Sequence, residues 1–146
     1  MAADRGGMRW LAIAAALLAA ACGTRLEPTE SELRAEWESR NVVPADYKGD
    51  LLALMRTYLN DPRNIRGASV SPPERKIVPG NPGERYVACV RYDARNSEGR
   101  YAGMKTGAAV YVSGKLDRFL DAPREVRDLC KDVAYAPFPE LQKLQR

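Results

Sequence analysis

Residues 85–93 read Arg-Tyr-Val-Ala-Cys-Val-Arg-Tyr-Asp, and this stretch is the clearest β-strand in the chain. Valine and tyrosine favour the pleated, half-buried surface of a sheet. Successive side chains of a strand point to opposite faces. One face is therefore predicted to carry Tyr86, Ala88, Val90 and Tyr92, and the other Val87, Cys89 and Arg91.

A turn and a second strand are predicted directly after this segment. Residues 96–99 read Asn-Ser-Glu-Gly, which is typical turn chemistry. Residues 100–112 then return as a strand that is bent or bulged near Gly103 or Gly107. The two strands together form a β-hairpin.

The best helix is predicted over residues 46–59, because apolar side chains recur there at the three-and-four spacing of one helical face. This face carries Tyr47, Leu51, Leu54, Met55 and Tyr58. The sequence Asn-Asp-Pro at 60–62 ends the helix.

Shorter elements are predicted around the helix and the hairpin. Strands are expected at 65–70, where Ile65, Gly67 and Ser69 alternate with Arg66, Ala68 and Val70, and at 116–120. Residues 71–84 contain four prolines and two glycines and are predicted to be a loop, either a solvated connector or a proline-braced binding loop. Residues 125–133 are predicted to form a helical turn or two that carries Cys130, and the proline-rich tail at 135–141 is predicted to pack across the sheet.

These elements predict an α+β fold in which an amphipathic helix packs on a small antiparallel sheet of three or four strands. Residues 44–146 form this single domain, since a mature chain of about 125 residues supports one modest core. The helix-then-meander order is similar in architecture to the C-terminal domains of TolA and TonB. No diagnostic motif matches, so no residue role carries over.

The N-terminal region carries an export signal. Residues 8–22 read Met-Arg-Trp-Leu-Ala-Ile-Ala-Ala-Ala-Leu-Leu-Ala-Ala-Ala-Cys. A basic start, a short apolar run and small residues at the cut point are typical of a secretory signal and too short for a membrane span. Because Cys22 follows Ala19-Ala20-Ala21, the segment resembles the signal of bacterial lipoproteins.

This resemblance implies removal of signal peptide 1–21, a diacylglycerol thioether on Cys22 and acylation of the new N-terminus. Several acyl chains anchor a protein stably, whereas one is marginal. Gly23 stands where an aspartate retains lipoproteins in the inner membrane, so the outer membrane is favoured, with the domain facing the periplasm. The alternative is an ordinary secreted protein with an Ala-x-Ala cut and an incidental cysteine.

Residues 22–43 form the predicted tether between the anchor and the domain. Thr29 and Glu32 resemble a capping box, which predicts one short helix there. Trp37 is the one tryptophan that remains after signal removal, and it serves either as a packing staple or as a contact for a partner or membrane surface.

With Cys22 lipidated, the remaining two cysteines are an even pair in an oxidising compartment. We therefore predict a structural disulfide between Cys89 and Cys130. A redox pair is the alternative, but the spacing is not Cys-x-x-Cys, and Cys89 lies inside an apolar strand pattern.

Composition argues against several classes of function. The chain has no histidine, which removes the commonest general base, the Ser-His-Asp triad and every histidine-based metal site. The chain has a net charge of +4, but its basic and acidic residues are interspersed and do not form the basic stripe of a nucleic-acid binder. We therefore expect no enzyme, cofactor, metal or nucleic-acid partner.

The candidate binding surface is a tyrosine and arginine patch on the hairpin. Tyrosine and arginine are enriched in interaction hot spots, although alternating aromatics on a strand are also typical of the covered face of a sheet. The patch comprises Tyr92, Tyr101, Tyr111, Arg91, Arg95, Arg100 and Lys105.

The expected function is a non-catalytic module, anchored to the membrane through its N-terminal lipid, that binds or scaffolds an envelope protein. The alternative is a binder of a small ligand or a cell-wall polymer through the hairpin patch.

Overall fold

The computed structural model describes residues 27–81 and 83–145. The predicted signal peptide and Cys22 lie outside the described residues. The helices are α1 (Glu30–Ser39), α2 (Tyr47–Tyr58), α3 (Pro123–Leu129) and α4 (Pro139–Gln142). The strands are β1 (Asp61–Val70), β2 (Glu74–Ile77), β3 (Glu84–Arg95), β4 (Lys105–Val112), β5 (Lys115–Leu120) and β6 (Ala136–Pro137).

The strands form one antiparallel sheet in the order β5-β4-β3-β1-β6, and β2 pairs with the first half of β3. The predicted α+β class is confirmed, but three or four strands is wrong because the described sheet has six. The additional strands are β2, inside the predicted proline loop, and β6, inside the tail. Both are too short for alternation to reveal, and backbone pairing with long neighbours holds them in place.

One face of the sheet is covered by α2 and α4. Leu51 and Met55 of α2 and Leu141 of α4 are fully buried against this face. The strand residues beneath them include Ala88, Val90, Tyr92, Ala109 and Tyr111. The predicted split of β3 is therefore correct, and the amphipathic helix lies where its apolar spacing indicates.

The opposite face packs beneath α3. Its core consists of Val78, Val87, Cys89, Ala108, Val110, Val126, Leu129 and Cys130. Cys89 and Cys130 form a disulfide with their Cα atoms 5.8 Å apart, as predicted. This bond joins the end of α3 to the middle of β3. Both faces of the sheet are thus covered, although α3 is only seven residues long.

The alternation predicted for residues 65–70 is wrong in phase. Ile65, Ala68 and Val70 are all buried in the core beneath α2. The register of β1 against β3 shifts between Arg66 and Ser69, and Gly67 has a φ of +57°. A bulge at this point reverses which residues face inward, and the positive φ is a conformation that glycine adopts at little cost.

Local signals set the ends of the first two helices. Thr29 caps α1, and both halves of its capping box with Glu32 are present. Asp46 caps α2 by accepting a hydrogen bond from the backbone N–H of Gly49 at 3.0 Å.

Within residues 27–81 and 83–145, no helix has the length and hydrophobicity needed to cross a bilayer.

Candidate functional site

The structure divides the seven residues of the predicted patch among three environments. Tyr92 and Tyr111 belong to the core under α2, with exposed fractions of 2% and 1%. The Tyr111 hydroxyl donates a hydrogen bond to the Tyr47 carbonyl at 3.0 Å. Because α2 covers this face, Tyr111 belongs to no open binding surface, and the largely buried Tyr92 contributes only to the lining of the groove described below.

A second group ties the hairpin to β1. The guanidinium carbons of Arg66 and Arg95 lie 3.7 and 5.4 Å from the centre of the Tyr101 ring. The Tyr101 hydroxyl donates to the Asn64 carbonyl at 2.7 Å. Arg100 is exposed in the hairpin turn and forms an ion pair with Glu98. These side chains are engaged within the molecule.

Arg91 and Lys105 lie in the third environment, a groove of about 710 Å³ between the sheet and α3. We call it the basic groove. Four cationic side chains line it, namely Arg91, Lys105, Arg127 and Lys131. The other lining residues are Tyr58, Tyr92, Met104, Thr106, Asp121, Pro123, Val126, Cys130, Asp132 and Tyr135.

Positive charge dominates the basic groove. In the part of the chain that the structure describes, none of its four cations forms a salt bridge. Among the described residues, two carboxylates, Asp121 and Asp132, line the same groove. The Asp121 carboxylate accepts a hydrogen bond from the Tyr58 hydroxyl. The groove therefore offers uncompensated positive charge to an anionic ligand.

Tyr135 forms one wall of the basic groove. The guanidinium carbon of Arg91 lies 3.9 Å from the centre of its ring, so the cation stacks on the aromatic face. The Tyr135 hydroxyl is buried and has no hydrogen-bond partner among the described residues. Burial raises the pKa of Tyr135, which stays protonated near neutral pH. Tyr135 thus holds the Arg91 cation in place at the wall of the groove.

The pKa values of two further groove tyrosines are also raised. For Tyr58 the main cause is desolvation, with a smaller contribution from the hydrogen bond to Asp121. Desolvation likewise raises the pKa of Tyr92. These hydroxyls remain neutral near neutral pH and act there as hydrogen-bonding and packing groups.

Sequence reasoning identified Arg91 and Lys105 but missed Arg127, Lys131 and Tyr135. These three residues come from α3 and the segment after it. The disulfide between Cys89 and Cys130, separated by 41 positions, brings them to the sheet. The predicted disulfide was therefore the one available signal that basic residues near Cys130 lie beside Arg91.

No group of three or more Cys, Asp or Glu side chains within residues 27–81 and 83–145 is arranged to hold a metal ion. Comparison of the chain with protein-family models, with curated proteins and with solved structures finds no match.

Proposed function

We propose that this protein is a non-catalytic lipoprotein of the cell envelope that binds an acidic segment of an envelope protein in the basic groove. The observation that carries the proposal is the set of four cations around one groove, none of them neutralised by a salt bridge within the described chain.

The lining of the groove fits an extended acidic peptide. Arg91, Lys105, Arg127 and Lys131 supply charge, and exposed Met104 and the Tyr135 ring supply apolar contact. Methionine adapts to irregular partner surfaces, and stacked arginine recognises carboxylates. A peptide with several Asp or Glu side chains matches this combination better than a purely apolar segment does.

The anchor belongs to the same proposal. Cys22 carries the lipid, and the segment 22–43, whose Trp37 and Asn41 contact the domain, links the lipid to it. The domain faces the periplasm, with the outer membrane favoured over the inner. Restriction to a membrane surface raises the effective concentration of the module for partners in the same layer.

The test is crosslinking in intact cells, followed by purification of the full lipidated chain and mass spectrometry. Lys105→Glu/Lys131→Glu reverses two exposed charges of the groove, and Lys115→Glu/Lys143→Glu makes the same change outside it. We expect the groove variant to lose at least tenfold of its crosslinked partner and the control to retain it. A parallel Cys22→Ser chain should lose partners that are confined to the membrane.

Three results would contradict this proposal. One is equal recovery of partners by the groove variant and the wild-type chain. Another is recovery of partners without acidic segments. The third is a chain that crosslinks to no protein but sediments with isolated cell wall in a groove-dependent manner, which would favour a cell-wall polymer as the ligand.

A further inference from the structure

A second cavity, of about 140 Å³, lies where α1 meets the start of β3, away from the basic groove. We call it the α1 cavity. Its lining residues are Glu36, Trp37, Arg40, Asn41, Arg85, Val112 and Ser113. None of these residues lines the basic groove, so the two sites are separate.

Arg85 gives this cavity its chemistry. Its side chain is only 1% exposed, and its guanidinium carbon lies 4.0 Å from the centre of the Trp37 ring. Nη1 donates to the Glu84 carbonyl at 2.7 Å, whereas Nε and Nη2 are buried with no hydrogen-bond partner in the described chain. Burying a charged group whose donors have no acceptors costs folding free energy, and an anionic partner would offset that cost.

The two free donors have a defined geometry. Nε–H and one Nη2–H point in parallel from the same edge of the planar guanidinium, and that edge matches the two oxygens of a carboxylate. The stacked Trp37 ring fixes the plane in which such a carboxylate lies. A bidentate carboxylate therefore satisfies both groups at once.

The nearby acidic side chains are committed to other arginines. Glu36 pairs with Arg40 at 2.5 Å, and Glu38 pairs with Arg75 at 2.6 Å. Arg75 also binds the Glu84 carboxylate at 3.0 Å. Burial lowers the pKa of Arg85, and the charges of Glu38 and Asp117 offset this only in part. Acidic side chains thus lie near Arg85, but no carboxylate within the described residues forms a salt bridge with it.

Asn41 adds an acceptor to the same cavity. Its Nδ2 donates to the Glu84 carbonyl at 3.1 Å, the oxygen that also accepts from Arg85. This bond leaves Oδ1 as the free end of the amide, and Oδ1 is buried without a partner in the described chain. Two lining residues, Arg85 and Asn41, thus leave two donors and one acceptor without partners in the described chain.

We propose that the α1 cavity binds the C-terminal carboxylate of a peptide. A terminal residue carries a carboxylate for the free edge of Arg85 and, two bonds away, an amide N–H for Asn41 Oδ1. A small apolar side chain on that terminal residue can pack against Val112, the aliphatic residue of the lining. Cell-wall stem peptides and protein tails share this chemistry, and the chirality of the terminal residue distinguishes them.

The test is isothermal titration calorimetry of the full chain in detergent with N-acetyl-D-alanine and N-acetyl-L-alanine, beside their neutral carboxamides. We expect saturable binding of at least one acid and at least tenfold weaker binding of its carboxamide. Preference for the D-acid identifies cell-wall peptides, and preference for the L-acid identifies protein C-termini. Quenching of Trp37 fluorescence should follow the same isotherm.

Two variants assign the heat of binding to this cavity. Arg85→Lys keeps the charge but removes the two-donor edge, so affinity should fall at least tenfold. Asn41→Asp places a negative charge beside the ligand and should weaken binding similarly, which keeps the test decisive if Arg85→Lys is poorly folded. The matched control is Arg66→Lys, an arginine stacked on Tyr101 outside the cavity.

Equal affinity for acid and carboxamide would overturn the proposal. So would binding that survives both cavity variants, or the lack of saturable binding by either acid. None of these results depends on the basic groove, so the two proposals fail independently.

Discussion

Removal of the disulfide should destabilise the domain by about 4 kcal/mol. Cys89 and Cys130 are separated by 41 positions, and cross-linking a chain over such a loop lowers the entropy of the unfolded state by an amount worth about 4 kcal/mol at 25 °C. Single domains are typically stable by only about 5 to 15 kcal/mol. The double variant Cys89→Ala/Cys130→Ala should therefore lose a large share of its free energy of unfolding.

The structure also indicates which part of the domain should open first when the disulfide is removed. Helix α3 has seven residues, too few to be stable alone, and it is held to the sheet by Val126, Leu129 and the disulfide. Without the bond, α3 should open before the rest of the domain. The basic groove, which contains Arg127 and Lys131, should lose its shape at the same step.

The assay is urea unfolding followed by circular dichroism, in a Cys22→Ser chain so that no other thiol takes part. With a slope of about 2 kcal/mol per molar urea, the midpoint should fall by about 2 M. Reductant should lower the midpoint of the parent by a similar amount and leave that of the double variant unchanged. A decrease of the midpoint by less than about 0.5 M, at an unchanged slope, would refute the reasoning.

Two further predictions concern the sheet. Gly107→Ala should reduce the free energy of unfolding by about 1 to 3 kcal/mol, because the added Cβ would lie 2.1 Å from Cζ of Phe119. The same change in a Phe119→Ala background should reduce the free energy of unfolding by less. Equal reductions in the two backgrounds of this double-mutant cycle would exclude the clash as the cause. Burial raises the pKa of Tyr111 in the folded state above that of the unfolded chain. The stability that this buried, neutral hydroxyl contributes is therefore fully present below about pH 10, and it is lost at higher pH as the tyrosine of the unfolded chain ionises. Tyr111→Phe should therefore show a shallower alkaline loss in urea titrations between pH 8 and 11, beside a loss of about 1 kcal/mol at neutral pH from the hydrogen bond to Tyr47, and parallel pH profiles would contradict the assignment.

The sequence by itself determined the elements whose signal is local. Alternation in residues 85–93 predicted both faces of β3, and helical spacing predicted α2 with its buried Leu51 and Met55. The capping box at Thr29 predicted the start of α1. The cysteine count predicted the disulfide. In each case the deciding contacts lie within a few residues or follow from composition.

Tertiary structure decided the strand count and the phase of β1. Strands β2 and β6 have four and two residues, and they exist because β3 and β1 offer unpaired backbone groups beside them. The bulge near Gly67 turns Ala68 and Val70 inward, which a strict alternation does not anticipate. Pairing with a neighbouring strand, rather than the local pattern, selected these conformations.

The candidate sites depended most on tertiary structure. The sequence grouped Tyr92 and Tyr111 with Arg91 because they share a hairpin, but the two tyrosines pack in the core on the α2 side of the sheet, and of these two only Tyr92 also lines the groove that contains Arg91. Arg85 looked like an ordinary strand residue, and only the docking of Trp37 over it creates a buried cation. A side chain's type is written in the sequence, but its solvation and partners depend on which distant segments pack against it.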